Sequence, residues 1–156
     1  MGTRSTIALE FADGSVEQVY CHWDGYLAYN GKILFENYSN PFILRDLIDL
    51  GDLSSLRPMI GTKHAFSHYD TDLKQEKYYE LYGDMCTFYG RDRGETGCDK
   101  KKFLDFQDYL AHHQYEEYEY ILRRDGNWYV KQHDNEYELL VAALVEELSK
   151  ETVCAL

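Results

Sequence analysis

Apolar and polar positions alternate from the start of the chain. In STIALEFADGSVEQVYCHW, Ile7, Leu9 and Phe11 lead to the turn pair Asp13-Gly14. Beyond it Val16, Gln18 and Tyr20 fall on one face of the chain, and Val19, Cys21 and Trp23 on the other. A period of two on either side of an Asp-Gly pair predicts a β-hairpin. Gly25 ends the second strand, after which Leu27, Gly31, Leu34 and Tyr38 recur at helical spacing on one face. Asn40-Pro41 then predicts a second helix, because Asn caps free backbone donors and proline loses nothing at the first helical position. Ile43, Leu44, Leu47, Ile48 and Leu50 form its buried stripe, and Gly51 supplies the left-handed residue that stops it.

The second half is less regular. Residues 52–72 read as loop from their Ser, Pro, Gly, His and Asp content. EKYYELYGDMCTFYGRDRGE reads as one or two strands rich in Tyr and Phe and interrupted by Gly83. KKFLDFQDYLAHH places Phe103, Phe106, Gln107 and Leu110 on one helical face, and YEEYEYILRRDGNWYVKQH predicts a second hairpin around Asp125-Gly126. A last helix over 135–151 is expected to bury Tyr137, Leu140, Val141, Leu144 and Leu148 and to expose Glu136, Glu138, Glu146, Glu147 and Glu151. The expected fold is α+β, a single domain over 1–156, with an antiparallel sheet built from two hairpins plus one or two further strands. About four helices are expected to cover one face of that sheet.

A chain of 156 residues suits one core. Its net charge of −12 changes the functional picture, because it repels nucleic acid and anionic membranes and favours basic partners. The acid is concentrated late: 103–152 holds twelve carboxylates against four basic residues. No C-x-x-C pair joins the four cysteines and no signal-like start is seen, so a soluble cytoplasmic protein is expected. No apolar run approaches the ~20 residues that span a bilayer. Gly2 and Thr6 fit the loose myristoylation pattern, but no polybasic segment supports a single acyl chain, and a strand starting near Thr3 is the simpler reading.

Three constellations carry candidate chemistry. In YCHWDGY, alternation points Cys21 and His22 apart, so they are not a nucleophile-base pair with each other. Cys21 and Trp23 read as core and Asp24-Gly25 as a turn. GRDRGE places two guanidinium groups, two carboxylates and two glycines where the backbone could grip a phosphate or an acidic group, or simply pair with itself as a solvated turn. A ligand or catalytic site joining Arg4, His22, Trp23, Asp24, Arg91, Asp92, Arg93 and Glu95 requires these two segments to meet. The third constellation is acidic: Glu116, Glu117 and Glu119, next to Glu136, Glu138, Glu146 and Glu147, either form one negative surface that meets a partner or are an ordinary solvated acidic face. Its carboxylates would be spaced, at roughly 6 to 7 Å, like phosphates along a nucleic acid. The His and Cys spacings match no standard metal site. His112 and His113 read as favourable charges near a helix end, and neither a metal nor a cofactor is expected.

MGTRSTIALEFADG with VYCHWDGY, followed by NGKILFENY, LIDLGDLSSL, GRDRGE and NWYV, resembles a family of small uncharacterised proteins of tailed phages and their bacterial hosts. The resemblance implies a setting rather than a reaction. In that setting a small acidic protein without a catalytic motif is expected to be a non-enzymatic inhibitor. It would occupy a basic surface of a host protein, such as an antiviral nuclease or defence complex, as a DNA mimic. The alternatives are a small enzyme or phosphate- or nucleotide-binding domain built on YCHWDGY and GRDRGE, and an oligomerising module suggested by the fifteen tyrosines.

Overall fold

A computed structural model describes residues 2–155, with side chains described through Lys150; those of Glu151 and Cys154 lie outside the described residues. The fold is α+β. The first hairpin forms as expected, with β1 (Ser5–Glu10) and β2 (Val16–Cys21) paired from Ser5 opposite Cys21 to Glu10 opposite Val16. A π-helical turn at Leu27–Gly31 runs into α1 (Lys32–Asn37), and α2 (Pro41–Asp49) follows. As the sequence predicts, Asn40 caps α2 through Phe42 N and Gly51 leaves it at φ +85°. A side chain at Gly51 would lie 2.3 Å from the Cys98 carbonyl oxygen, so glycine is required for space as well as for φ.

Next come β3 (Leu53–Ser55), α3 (Gln75–Tyr82), β4 (Thr87–Phe88), α4 (Tyr89–Arg93), β5 (Lys101–Phe103) and α5 (Phe106–His112). The second hairpin is β6 (Tyr118–Leu122) with β7 (Trp128–Gln132), and the chain continues through β8 (Glu138–Leu139) into α6 (Leu140–Ala155). All eight strands join one sheet in the order β4-β3-β2-β1-β6-β7-β8, with β5 also on β2. Most pairings are antiparallel. However, β1 runs parallel to β6 and β2 parallel to β3, which corrects the expectation of a wholly antiparallel sheet. The helices and loops between these strands are long enough for the crossovers that parallel neighbours need.

Both faces are covered, not one. Ile7, Leu9, Val19, Cys21, Tyr120, Leu122 and Val130 pack with Leu34, Tyr38, Leu44, Leu47 and Ile48 in the larger core. On the opposite face Ala8, Val16 and Ile121 pack under α5 with Phe103 and Tyr109. That is why every residue of β1, including Ser5, Thr6 and Glu10, is buried. It also explains a misassignment in α5, where Tyr109 is fully buried and Gln107 is exposed.

The Tyr-rich segment 76–95, predicted as one or two strands, holds one short strand, β4, between the helices α3 and α4. Its aromatic content favours a strand, but Tyr78 and Tyr82 are four apart, and their rings meet edge-on at 5.2 Å. Tyr78 Oη also donates to Ala65 O at 2.7 Å, tying α3 to the preceding loop. At the C-terminal end, β8 pairs with β7 before α6 begins, so Val141 and Leu148, expected in the core, lie at the surface. In α2, Ile43 and Leu50 are likewise exposed, while Leu44, Leu47 and Ile48 are buried.

Candidate functional site

The end of β2 shapes one wall of a cleft. His22 N and Trp23 N continue the ladder onto Leu53 O and Ser54 O, both at 3.1 Å, and Gly25 N donates to Thr3 O at 2.8 Å. Gly25 packs so closely that a side chain there would lie 2.8 Å from Ser5 Cβ. Between these anchors Asp24 takes φ 60°, a left-handed conformation that few residues other than glycine adopt. Asn30, fully buried, holds the turn from inside: its Nδ2 donates to Trp23 O at 3.1 Å, and its backbone N donates to Asp24 O.

This geometry divides YCHWDGY. Cys21 is core as expected, and burial pushes its thiol up to about 12, which leaves it inert at neutral pH. Tyr20 and His22 share the other face, with Tyr20 Oη 2.7 Å from His22 Nδ1. Trp23 corrects the core assignment. It lies past the last strand residue, its ring is edge-on to His22, and it is 42 % exposed.

Trp23 and Asp24 face α3 and its approach loop across a cleft of about 380 Å³, whose far wall carries Phe66, His68, Tyr69, Tyr78, Tyr79 and Tyr82. Tyr69 is 85 % and Tyr79 52 % exposed. Arg57 also lines the cleft, held by one hydrogen bond from Nη1 to Leu56 O and by stacking on Tyr29 at 5.4 Å. Asp24 is not engaged: among the described residues its carboxylate has no hydrogen bond or ion-pair partner. The cleft thus joins exposed aromatic faces to one free negative charge.

GRDRGE lies two strands away, since β2 pairs with β3 and β3 with β4, which leads into α4. Its central residues are used internally. Asp92 is buried and accepts four hydrogen bonds, from His64 N at 3.1 Å, Phe88 N at 2.8 Å, and Arg91 Nε and Nη2 at 3.0 and 3.2 Å. Arg91 spends its remaining donors on the carbonyls of Ile60, Gly61 and Cys86, and its guanidinium lies over Phe88. The pair is a clamp joining three segments of chain. His64 belongs to it, with Nδ1 at 2.8 Å from Thr62 O and Nε2 at 3.3 Å from Thr87 Oγ1, so both ring nitrogens have partners. Arg93 pairs with Glu95 and stacks on Phe66 and Tyr89. Arg4 is exposed at the start of β1. Of the eight residues expected to form one ligand site, the cleft takes Trp23 and Asp24; Arg91, Asp92, Arg93 and Glu95 do not line it.

The acidic constellation is only partly a surface. Glu119, expected to face a partner, is 1 % exposed, because α5 covers that face of β6. It pairs with His113 Nε2 at 2.5 Å, accepts from Tyr137 Oη at 2.9 Å and lies 3.7 Å from Lys131 Nζ. His113 is therefore a buried partner of Glu119 rather than a helix-end charge, whereas His112 is exposed and bonded to Asp108. Glu116 accepts from Gln114, and Glu146 lies 3.9 Å from Lys150. Glu117 and Glu136 are exposed, Glu138 sits in β8, and Glu147 borders a groove between α1 and α6. Glu147 and Glu117 do share one neighbour: besides burial, both push the Tyr118 hydroxyl above its ordinary range.

No family model, curated protein or solved structure matches this chain. Among the described residues no three His, Cys, Asp or Glu side chains are grouped as metal ligands, and no helix is long and apolar enough to cross a membrane. Tyr69 and Tyr79 escaped the sequence reading because a tyrosine count does not say which rings face a concavity. The one available signal was Asp24-Gly25 following Trp23.

Proposed function

We propose that this protein is a non-enzymatic binding protein whose cleft receives an arginine- or lysine-bearing segment of a basic partner. The observation that carries this reading is the free carboxylate of Asp24 beside the exposed rings of Trp23, Tyr69 and Tyr79. A cation over an aromatic face gains about 0.5 to 2 kcal/mol, most when desolvated, and Trp is the best acceptor. The net charge of −12 adds long-range attraction for a basic partner and opposes an anionic ligand in the same cleft. The resemblance to phage and bacterial proteins supplies the setting, in which the partner is a host protein and binding inhibits it. The free thiols of Cys21, Cys86 and Cys98 suit a reducing cytoplasm.

The contact point thus moves from the glutamate set to the cleft. Glu117, exposed, and Glu147, at the rim of the groove between α1 and α6, keep a supporting role as part of the negative field that steers association. The test is calorimetry with a basic peptide at two ionic strengths, on the native chain and on Trp23→Ala. Saturable binding that weakens with salt and is lost in Trp23→Ala is the expected result. Binding unchanged by Trp23→Ala would remove the cleft from the account.

A further inference from the structure

A second concavity has the opposite character. About 270 Å³ of space lies where the first turn of α2 meets the ends of both hairpins, bounded by Arg45, Arg123 and Arg124 and by apolar Phe11, Pro41 and Phe42. The whole chain has sixteen cations against twenty-eight carboxylates, so three arginines around one small cleft run against the composition. Among the described residues, the one carboxylate there is already neutralised. Glu10 is buried and accepts Arg123 Nε at 3.1 Å, Arg123 Nη2 at 3.3 Å and Arg124 N at 3.1 Å. Burial would raise its pKa, but these donors outweigh burial and hold it below the usual carboxylate range. Glu10 is therefore a negative charge already matched by Arg123.

That leaves the side chains of Arg45 and Arg124, which among the described residues have no hydrogen-bond or ion-pair partner. Arg45 lies 5.7 Å from the centroid of the Phe42 ring, which is itself exposed. Two guanidinium forks without hydrogen-bond or ion-pair partners, beside an exposed aromatic ring, suit an oxyanion, which Arg binds through parallel N–H donors, joined to a flat apolar body. The size of the cleft, just under the usual range for ligand sites, suits a body of about one ring.

We infer that this cleft is an anion site, distinct from the aromatic cleft, for a small phosphate- or carboxylate-bearing molecule with an apolar ring. Arg45 and Arg124 bind its oxygens, Phe42 stacks on the ring, and the Arg123–Glu10 pair fixes the floor. The inference does not rest on the function proposed above and survives its failure.

The probes are phenyl phosphate, benzoate, inorganic phosphate and benzyl alcohol, each titrated at millimolar concentration into the isotope-labelled full chain while amide shifts are followed. Saturable shifts confined to residues around Phe42, Arg45, Arg124 and Gly126 are expected with phenyl phosphate, benzoate or both, and which of the two binds tells phosphate from carboxylate. Inorganic phosphate should bind more weakly, and benzyl alcohol should not saturate. Arg45→Ala combined with Arg124→Ala changes exposed groups only, so the variant should keep the native spectrum and lose affinity about tenfold or more. Arg93→Ala, outside the cleft, should change nothing. Absence of saturable shifts with both ring anions, equal binding of benzyl alcohol, or full affinity in the double variant would each overturn the assignment.

Discussion

Replacing Asp92 by alanine removes a buried carboxylate that accepts four hydrogen bonds. The side chain is fully buried and accepts two backbone N–H groups, those of His64 and Phe88, along with the Arg91 guanidinium. The substitution strands both N–H groups, at about 1 to 3 kcal/mol each. It also leaves Arg91, only 13 % exposed, without its counter-charge; breaking a buried pair from one side costs about 3 to 5 kcal/mol. These contributions overlap, so a loss of about 4 kcal/mol is the reasoned value, a large part of the 5 to 15 kcal/mol that holds a domain together. At about 2 to 4 °C per kcal/mol for a chain of this size, the melting temperature should fall by roughly 8 to 16 °C. Asp92→Asn keeps the volume but turns a donor toward donors, and should fall between the native protein and Asp92→Ala. Urea melts followed by far-ultraviolet circular dichroism measure both, with the slope checked so that the midpoint shift reports stability. A change within about 0.5 kcal/mol, the range of an ordinary surface substitution, would refute the clamp and return GRDRGE to the candidate ligand residues.

Three further outcomes follow from the same structure. The pKa of Glu10 is lower folded than unfolded, so its stabilising contribution is complete above the unfolded value near 4.5 and is lost as pH falls through the lower folded value; urea midpoints between pH 6 and 3 should show this loss, and Glu10→Gln should flatten that part of the profile. Gly51→Ala must adopt φ +85° against the Cys98 carbonyl and should destabilise the protein by at least about 1 kcal/mol, read from thermal melts. Native-state thiol labelling with peptide mapping should modify the partly exposed Cys98 well before buried Cys21 and Cys86.

Wherever local pattern and tertiary contact agree, the fold was legible in the sequence. The two hairpins, the Asn40 cap, the Gly51 stop and the buried face of Leu27, Gly31, Leu34 and Tyr38 all follow from period and turn chemistry. Where a long-range contact decides, the pattern was silent. Nothing in YEEYEY separates Glu117 from Glu119, yet α5 packs on one side of β6 and takes Glu119 into the core with His113 and Tyr137. Aromatic content concealed α3, because strand propensity outweighed the four-residue spacing of Tyr78 and Tyr82 in the reading but not in the fold. Of the cleft, Trp23 and Asp24 were visible as a motif. Their partners come from the 66–82 region, which no spacing rule connects to residue 24.

The central claim is that Asp24 and its aromatic neighbours select a cation, and a pair of peptides differing in one group tests it most directly. One carries arginine in a short basic sequence, and the other carries citrulline, the uncharged isostere, at the same position. A hydrogen bond to a charged group contributes about 1.5 to 3 kcal/mol, so the arginine peptide should bind about ten- to a hundredfold more tightly than its citrulline twin. Asp24→Asn should erase that difference without unfolding the protein. Equal affinity for the two peptides, or a preference that persists in Asp24→Asn, would contradict the account.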